Sequence, residues 1–184
     1  MPEEHNRVLT DHAADLLLAP TDVAAAHLAN EGLSARTVVV GDVMTDVCFM
    51  VRDAVAGRAD MLPGNIDTSA PYVVATIHRA ENTDDPQRLA AVLSALAAVP
   101  APVLLLAHPR LVQRAADFGL DITQGSIVQA APLAYPQMVA AVMASAGVVT
   151  DSGGLQKEAF LLGVPVTTLR TETEWVETLT DGWN

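Results

Sequence analysis

His78-Arg79-Ala80-Glu81-Asn82 sets an imidazole, a guanidinium, a carboxylate and an amide within one short stretch. Histidine exchanges protons near neutral pH, and arginine holds a diphosphate oxygen through charge-assisted hydrogen bonds. A second set is Asp151-Ser152-Gly153-Gly154, followed by Leu155-Gln156-Lys157-Glu158. Adjacent glycines let a backbone approach a ligand closely, Ser152 offers a hydroxyl, and the free N–H groups of a following helix can hold a phosphate. Dipole stabilisation there is about 0.3 to 1 kcal/mol. Glu158, near the start of that helix, has the chemistry to accept ribose hydroxyl hydrogen bonds. Each set also has a plainer reading. A Gly-Gly turn is often only a tight connection, and the plainer reading of His78, which its convergence with the other clusters disfavours, is a loop histidine satisfied by a neighbouring carboxylate. His108-Pro109 either stops a strand or contacts a ligand, and Glu172, Glu174 and Glu177 read as solvated surface.

The elements that must position these residues follow from the apolar runs. Short Val/Leu-rich segments alternate with longer Ala/Leu-rich segments at helical spacing, the pattern of strand-helix units in a parallel sheet. Strands are expected at Leu16 to Ala19, Thr37 to Val40, Tyr72 to Ile77, Val103 to Ala107, Ser126 to Gln129, Gly147 to Thr150 and Val166 to Leu169. Their apolar continuity suits strands covered on both faces. Thr21 and Asp22 open a helix that ends near Gly32, and Asp85 caps another that has Pro86 in its first turn and runs to about Ala98. Helices are also expected over Met44 to Ala56 and Leu155 to Leu162, with a loop from Gly57 to Ala70 containing a Pro-Gly-Asn turn. That loop is too short to divide the chain into independent domains. Gly41-Asp42, His78 to Asn82, His108 to Arg110, Asp151 to Gly154 and Arg170 each follow a strand. In one open parallel sheet all five clusters would converge on a single crevice.

Composition narrows the function classes. The net charge of −12 over 184 residues repels phosphate backbones and anionic membrane surfaces, so nucleic acid and membrane are not expected partners. The apolar stretch from Leu89 to Ala107 is broken by Ser94, Pro100 and Pro102 and reads as helix, turn and buried strand rather than a span. Cys48 is the one cysteine and the first residues lack a signal-peptide layout, so a reducing cytoplasm is expected. No His/Cys set has metal-ligand spacing, and there is no Walker motif, no Gly-x-Gly-x-x-Gly and no Gly-x-Ser-x-Gly. No metal and no cofactor are expected.

Taken in order, Pro2-Glu3-Glu4-x-Asn6-Arg7, His78-Arg79-x-Glu81-Asn82, His108-Pro109, Asp151-Ser152-Gly153-Gly154-x-Gln156-x-Glu158 and Arg170-x-x-Thr173-Glu174-Trp175-x-Glu177 resemble the non-hydrolysing UDP-N-acetylglucosamine 2-epimerases. The resemblance implies an α/β fold: a Rossmann-like parallel sheet with helices on both faces, as the C-terminal lobe of a two-lobed fold of the glycosyltransferase-B type. Residues 1–35 would be the interlobe connection and the start of the lobe, and residues 36–184 the nucleotide-sugar-binding lobe. It implies interconversion of UDP-GlcNAc and UDP-ManNAc, in polysaccharide biosynthesis, by elimination of UDP and its re-addition. In that reading Glu3 and His78 are catalytic, Ser152, Gly153, Gly154 and Glu158 bind substrate, Pro132 to Met138 lies beside the uracil, and Arg79 and His108 contact a second, activating UDP-GlcNAc. Intact relatives are usually homodimers.

The sequence departs from the family in two ways. Trp175-Val176 stands where some relatives have arginine and proline, which removes a phosphate or ribose contact. The family's N-terminal lobe, with an aspartate and the glutamate of a His-Val-Glu-Ala-Gly-type segment, has no counterpart in this sequence, so the isolated chain is expected to be catalytically incomplete. A donor-binding lobe of a glycosyltransferase, a hydrolysing relative and a non-catalytic nucleotide-sugar-binding module are the alternatives.

Overall fold

A computed structural model describes residues 2–62, 64, 66–67, 69–173, 175, 178–179 and 182–184, with side chains from Glu4 onward. The chain divides into two compact units, Met1–Val47 and Cys48–Asn184. The division falls beyond the expected 35/36 boundary and ahead of the loop after Gly57. The expected Pro63-Gly64-Asn65 turn lies in part outside the described residues, as do Glu174, Val176 and Glu177.

The first unit contains α1 (Pro2–Ala13), β1 (Leu17–Ala19), α2 (Asp22–Asn30) and β2 (Thr37–Val39), and α3 (Val43–Val55) carries the chain across the division. β1 and β2 pair only with each other, in parallel. This corrects the single seven-stranded reading: Gly41-Asp42 follows a strand of a different sheet, whereas the other four clusters follow strands of the five-stranded one. The seven segments look alike as apolar runs, and only their pairing separates them. On β1, Leu17 and Ala19 pack with Leu28 and Leu33, while Leu16, Leu18, Val38 and Val40 are exposed. Thr21 caps α2 as expected, accepting from Ala24 N–H at 3.1 Å. Arg7 on α1 gathers the carboxylates of Glu4, Asp11 and Glu31 at 2.6–2.7 Å, which hold its guanidinium protonated well above its ordinary range.

The second unit is built on β3 (Val73–Thr76), β4 (Val103–Leu106), β5 (Ile127–Ala130), β6 (Gly147–Thr150) and β7 (Val166–Thr168). All pairings are parallel and the order is β5-β4-β3-β6-β7. Alternating side chains explain the continuous apolar runs, because both faces are covered. Val74, Leu104, Leu106 and Val148 pack under α7 (Tyr135–Ala144) and α8 (Gly153–Leu161). Ala75, Val103 and Leu105 pack under α5 (Pro86–Ala97) and α6 (Pro109–Asp117). Asp85 caps α5, accepting from Gln87 N–H at 2.8 Å, with Pro86 in the first turn. The short α4 (Ala80–Thr83) directly follows His78-Arg79.

The order reverses at β3. The chain runs outward from β3 to β4 and β5, then crosses back to place β6 on the other side of β3. A crevice opens beyond the carboxyl ends of the strands at such a switch point. β3 leads into His78 and β6 into Asp151, so two sets of chemistry-bearing residues separated by more than seventy positions become neighbours. No described helix is long and apolar enough to cross a membrane.

Candidate active site

At the switch point a cavity of about 380 Å³ is lined by His78 and His108 after β3 and β4, by Leu133, Tyr135 and Met138 after β5, and by Ser152, Gly154 and Glu158 after β6. That volume lies in the range of small-molecule sites. Of the expected site residues, His78, His108, Ser152, Gly154 and Glu158 come together here. Gly153 is buried and forms the first residue of α8. Arg79 does not line the cavity; it is half-buried and its backbone begins α4. Glu3 lies on α1 in the other unit, and its side chain is outside the described residues. Arg170 lines a separate depression with Thr167, Thr173 and Asn184.

α8 begins two residues earlier than the apolar pattern predicts, at Gly153, because Ser152 caps it. Its hydroxyl accepts from Leu155 N–H at 3.3 Å, and Gln156 N–H bonds back to Ser152 O at 3.0 Å. The N–H groups of Gly153 and Gly154 therefore have no intrahelical acceptor and form the positive end of the helix dipole. Glu158 lies one turn beyond Gly154 on the same face of α8. Burial pushes its carboxyl above the ordinary range, and a hydrogen bond from the Tyr135 phenol opposes this. Burial first, then Glu158, push the Tyr135 phenol far up. Cys48 is fully buried, as its apolar neighbours predict, and burial raises its thiol.

His78 meets a carboxylate, as its plainer reading anticipated. Its Nδ1 lies 3.0 Å from Asp151 Oδ1. The same buried carboxylate accepts from the backbone N–H groups of His78 at 3.0 Å and Arg79 at 2.9 Å, and from Asn82 Nδ2 at 2.9 Å. Burial pushes the Asp151 carboxyl up, but the donors from His78, Asn82 and Arg79 outweigh it and leave it below its ordinary range. In the sequence Asp151 carries no role beyond membership of the Asp151-Ser152-Gly153-Gly154 motif. Its position directly after an apolar strand was the available signal; its partners were not. His108 has a role that neither sequence reading named: its Nδ1 accepts from Arg110 N–H at 3.2 Å and caps α6.

A five-stranded parallel sheet with helices on both faces, and with a capped helix start and a histidine–aspartate pair at its switch point, defines a Rossmann-like α/β unit. The family model for UDP-N-acetylglucosamine 2-epimerase matches residues 1–184. The chain belongs to that family. It is 43% identical, over its full length, to the UDP-2,3-diacetamido-2,3-dideoxy-D-glucuronate 2-epimerase of Pseudomonas aeruginosa, covering 51% of that protein. It is 37% identical to a UDP-N-acetylglucosamine 2-epimerase homolog of Methanococcus maripaludis, covering 100% of this chain and 53% of the relative. A crystal structure of the Methanocaldococcus jannaschii UDP-GlcNAc 2-epimerase in complex with UDP-GlcNAc and UDP superposes with a TM-score of 0.86 at 32% identity, covering 97% of this chain and 51% of the other. The chain thus spans about half the length of the curated relatives it matches.

Proposed function

We propose that this chain supplies the nucleotide-sugar-binding half of an isomerase that inverts C2 of a UDP-activated 2-acetamido sugar, UDP-GlcNAc to UDP-ManNAc in its simplest form. The observation that carries this reading is the meeting of His78, Ser152, Gly154 and Glu158 around one cavity in a chain that matches the epimerase family from end to end. The diphosphate sits at the start of α8, against the N–H groups of Gly153 and Gly154 and the Ser152 hydroxyl. Glu158 accepts from the ribose hydroxyls, and the apolar wall of Leu133 and Met138 lies beside the base. Arg79 and His108 face a second nucleotide sugar.

In the reaction a base removes the C2 proton, the C2–H electron pair becomes the C1=C2 double bond, and the C1–O bond breaks with its electrons leaving on UDP. Return of UDP to C1, with protonation of C2 from the opposite face, gives the epimer. His78 stabilises the departing diphosphate, and Glu3, on the strength of its Pro-Glu-Glu motif, is a proton-transfer group. The nucleotide-sugar-binding lobe is the second unit, Cys48–Asn184, rather than residues 36–184, and a further lobe completes a fold of the glycosyltransferase-B type. The reaction belongs to cytoplasmic polysaccharide biosynthesis, and the intact protein is a homodimer, as the resemblance implies.

A second substrate reading has its own observation. The 43% identical Pseudomonas relative is named for a diacetamido glucuronate, whereas the two relatives named UDP-N-acetylglucosamine 2-epimerase outright in the methanogens are 33% and 32% identical. Calorimetric titration with UDP, UDP-GlcNAc and the diacetamido uronate tests both. Saturable UDP binding that Ser152→Ala and Glu158→Gln weaken is expected, and the tighter sugar nucleotide names the substrate. No saturable binding of any of the three at millimolar concentration overturns the proposal.

A further inference from the structure

We propose that Asp151 is a positioning residue that fixes His78 as its Nδ1–H tautomer, so that Nε2 is the nitrogen presented to the cavity. An ionised carboxylate only accepts hydrogen bonds, so a ring nitrogen 3.0 Å from Asp151 Oδ1 must carry a proton. The other bonds to Asp151 leave it no freedom to turn. Its Oδ2 takes Arg79 N–H at 2.9 Å and Asn82 Nδ2 at 2.9 Å, and His78 N–H is shared between both oxygens at 3.0 and 3.1 Å. The Asn82 amide is oriented in turn. Its Oδ1 accepts from Arg88 Nε at 2.8 Å, and arginine has no acceptor with which to support the flipped amide. Its Nδ2 also donates to Leu169 O at 3.1 Å, just after β7.

Hydrogen-bond polarity therefore runs one way, from Arg88 through Asn82 to Asp151, where it meets the donor Nδ1–H of His78. Asp151 is fully buried whereas the His78 side chain is 43% exposed and lines the cavity, so the second ring nitrogen is the one open to a ligand. Which ring nitrogen is protonated is set by the bond that the other makes. The donors around Asp151 hold its carboxyl below the ordinary range, in keeping with its role as acceptor. The chemical use of Nε2 against a diphosphate rests on the UDP-binding reading above; the tautomer does not.

The test is imidazole 15N NMR of the whole chain with labelled histidine, in buffer alkaline enough to keep imidazole neutral. The expected spectrum has His78 protonated at Nδ1 and bare at Nε2, the reverse of the form that the free neutral histidine side chain prefers. In Asp151→Asn the amide oxygen must serve the donors from Arg79 and Asn82, so the NH2 group faces His78 and the tautomer inverts to Nε2–H. A purely structural aspartate would leave no such signature. A wild-type His78 in the Nε2–H form overturns the proposal, and that measurement stands even if the variant does not fold. An unchanged tautomer in a folded Asp151→Asn overturns it as well. UDP added to the wild type is expected to shift His78 Nε2 more than Nδ1. Saturable UDP binding that leaves Nε2 unmoved overturns its presentation to the ligand. Absence of UDP binding overturns the functional reading instead, and the tautomer then decides this inference alone.

Discussion

Thr76 and Thr150 share a 2.6 Å hydrogen bond between their hydroxyls, across directly paired positions at the ends of β3 and β6. The bond joins the two strands just before they release His78 and Asp151. Thr150 Oγ1 also accepts from Ser152 N–H at 2.9 Å, so one buried hydroxyl ties the switch point to the turn that starts α8. Thr150→Val keeps the shape and removes both bonds, taking a partner from the Thr76 hydroxyl and the Ser152 N–H, which belong to half-buried residues. Destabilisation of about 1 to 3 kcal/mol is expected in urea unfolding, with weaker UDP binding. Thr76→Val spares the Ser152 bond and should cost less in both. Equal costs would show that the Thr150–Ser152 bond does not hold the turn.

Asp151 makes stability depend on acid in a defined direction. Burial raises its pKa, the bonds from His78, Asn82 and Arg79 together lower it by more, and the folded value ends below the unfolded reference of about 3.9. A depressed folded pKa contributes stability that is present above the unfolded value and is lost as pH falls through the folded one. Asp151→Asn should therefore lower the unfolding free energy by about 2 kcal/mol at neutral pH, and the gap from wild type should narrow below about pH 4. A gap that stays constant down to that pH would mean the carboxylate charge contributes nothing.

Glu158 has the opposite sign. Its folded pKa is raised by burial, with Tyr135 only partly opposing, so the ionised form is the disfavoured one in the fold. The penalty is absent at low pH, develops as pH rises past the unfolded value of about 4.3, and is complete above the folded value. Glu158→Gln keeps an acceptor for Tyr135 and removes the charge. It should stabilise the chain at neutral pH by on the order of 1 kcal/mol while weakening UDP binding about tenfold. A variant less stable than wild type would show that the Tyr135–Glu158 bond outweighs burial.

The strands were legible because each is a short run rich in Val, Leu or Ile, and the observed bounds differ from the predicted ones by a residue or so, although only β3 to β7 are covered on both faces while β1 and β2 leave Leu18, Val38 and Val39 exposed. Thr21 and Asp85 announced their helices by local capping chemistry. α6 was not delineated, because His108-Pro109 reads as a strand stop and is also a helix start. The site was legible in its residue types and not in its pairings. His78 and Asp151 meet because β3 lies beside β6, and that order arises from long-range packing which no local pattern encodes. The separation of β1 and β2 from the larger sheet was hidden for the same reason.

Trp175 stands where, by the resemblance, some relatives have arginine, and Lys157 Nζ lies 4.0 Å from the centroid of its ring. Lys157 is buried at 8% exposure, so the ring face shields a cation from water, where such a contact contributes about 2 kcal/mol. The pair also lies beside a polar network that fastens the chain after β7 to α8: Thr173 Oγ1 donates to Gln156 Oε1 at 2.8 Å and Gln156 Nε2 to Thr178 Oγ1 at 2.7 Å. Trp175→Phe keeps a ring face for Lys157 and should cost less than 1 kcal/mol, whereas Trp175→Arg sets two cations against each other and should cost about 2 kcal/mol or more. Urea unfolding of both variants, with and without Lys157→Met, measures the coupling. Wild-type stability of Trp175→Arg would show that the ring is no partner of Lys157 and that arginine is tolerated here as well.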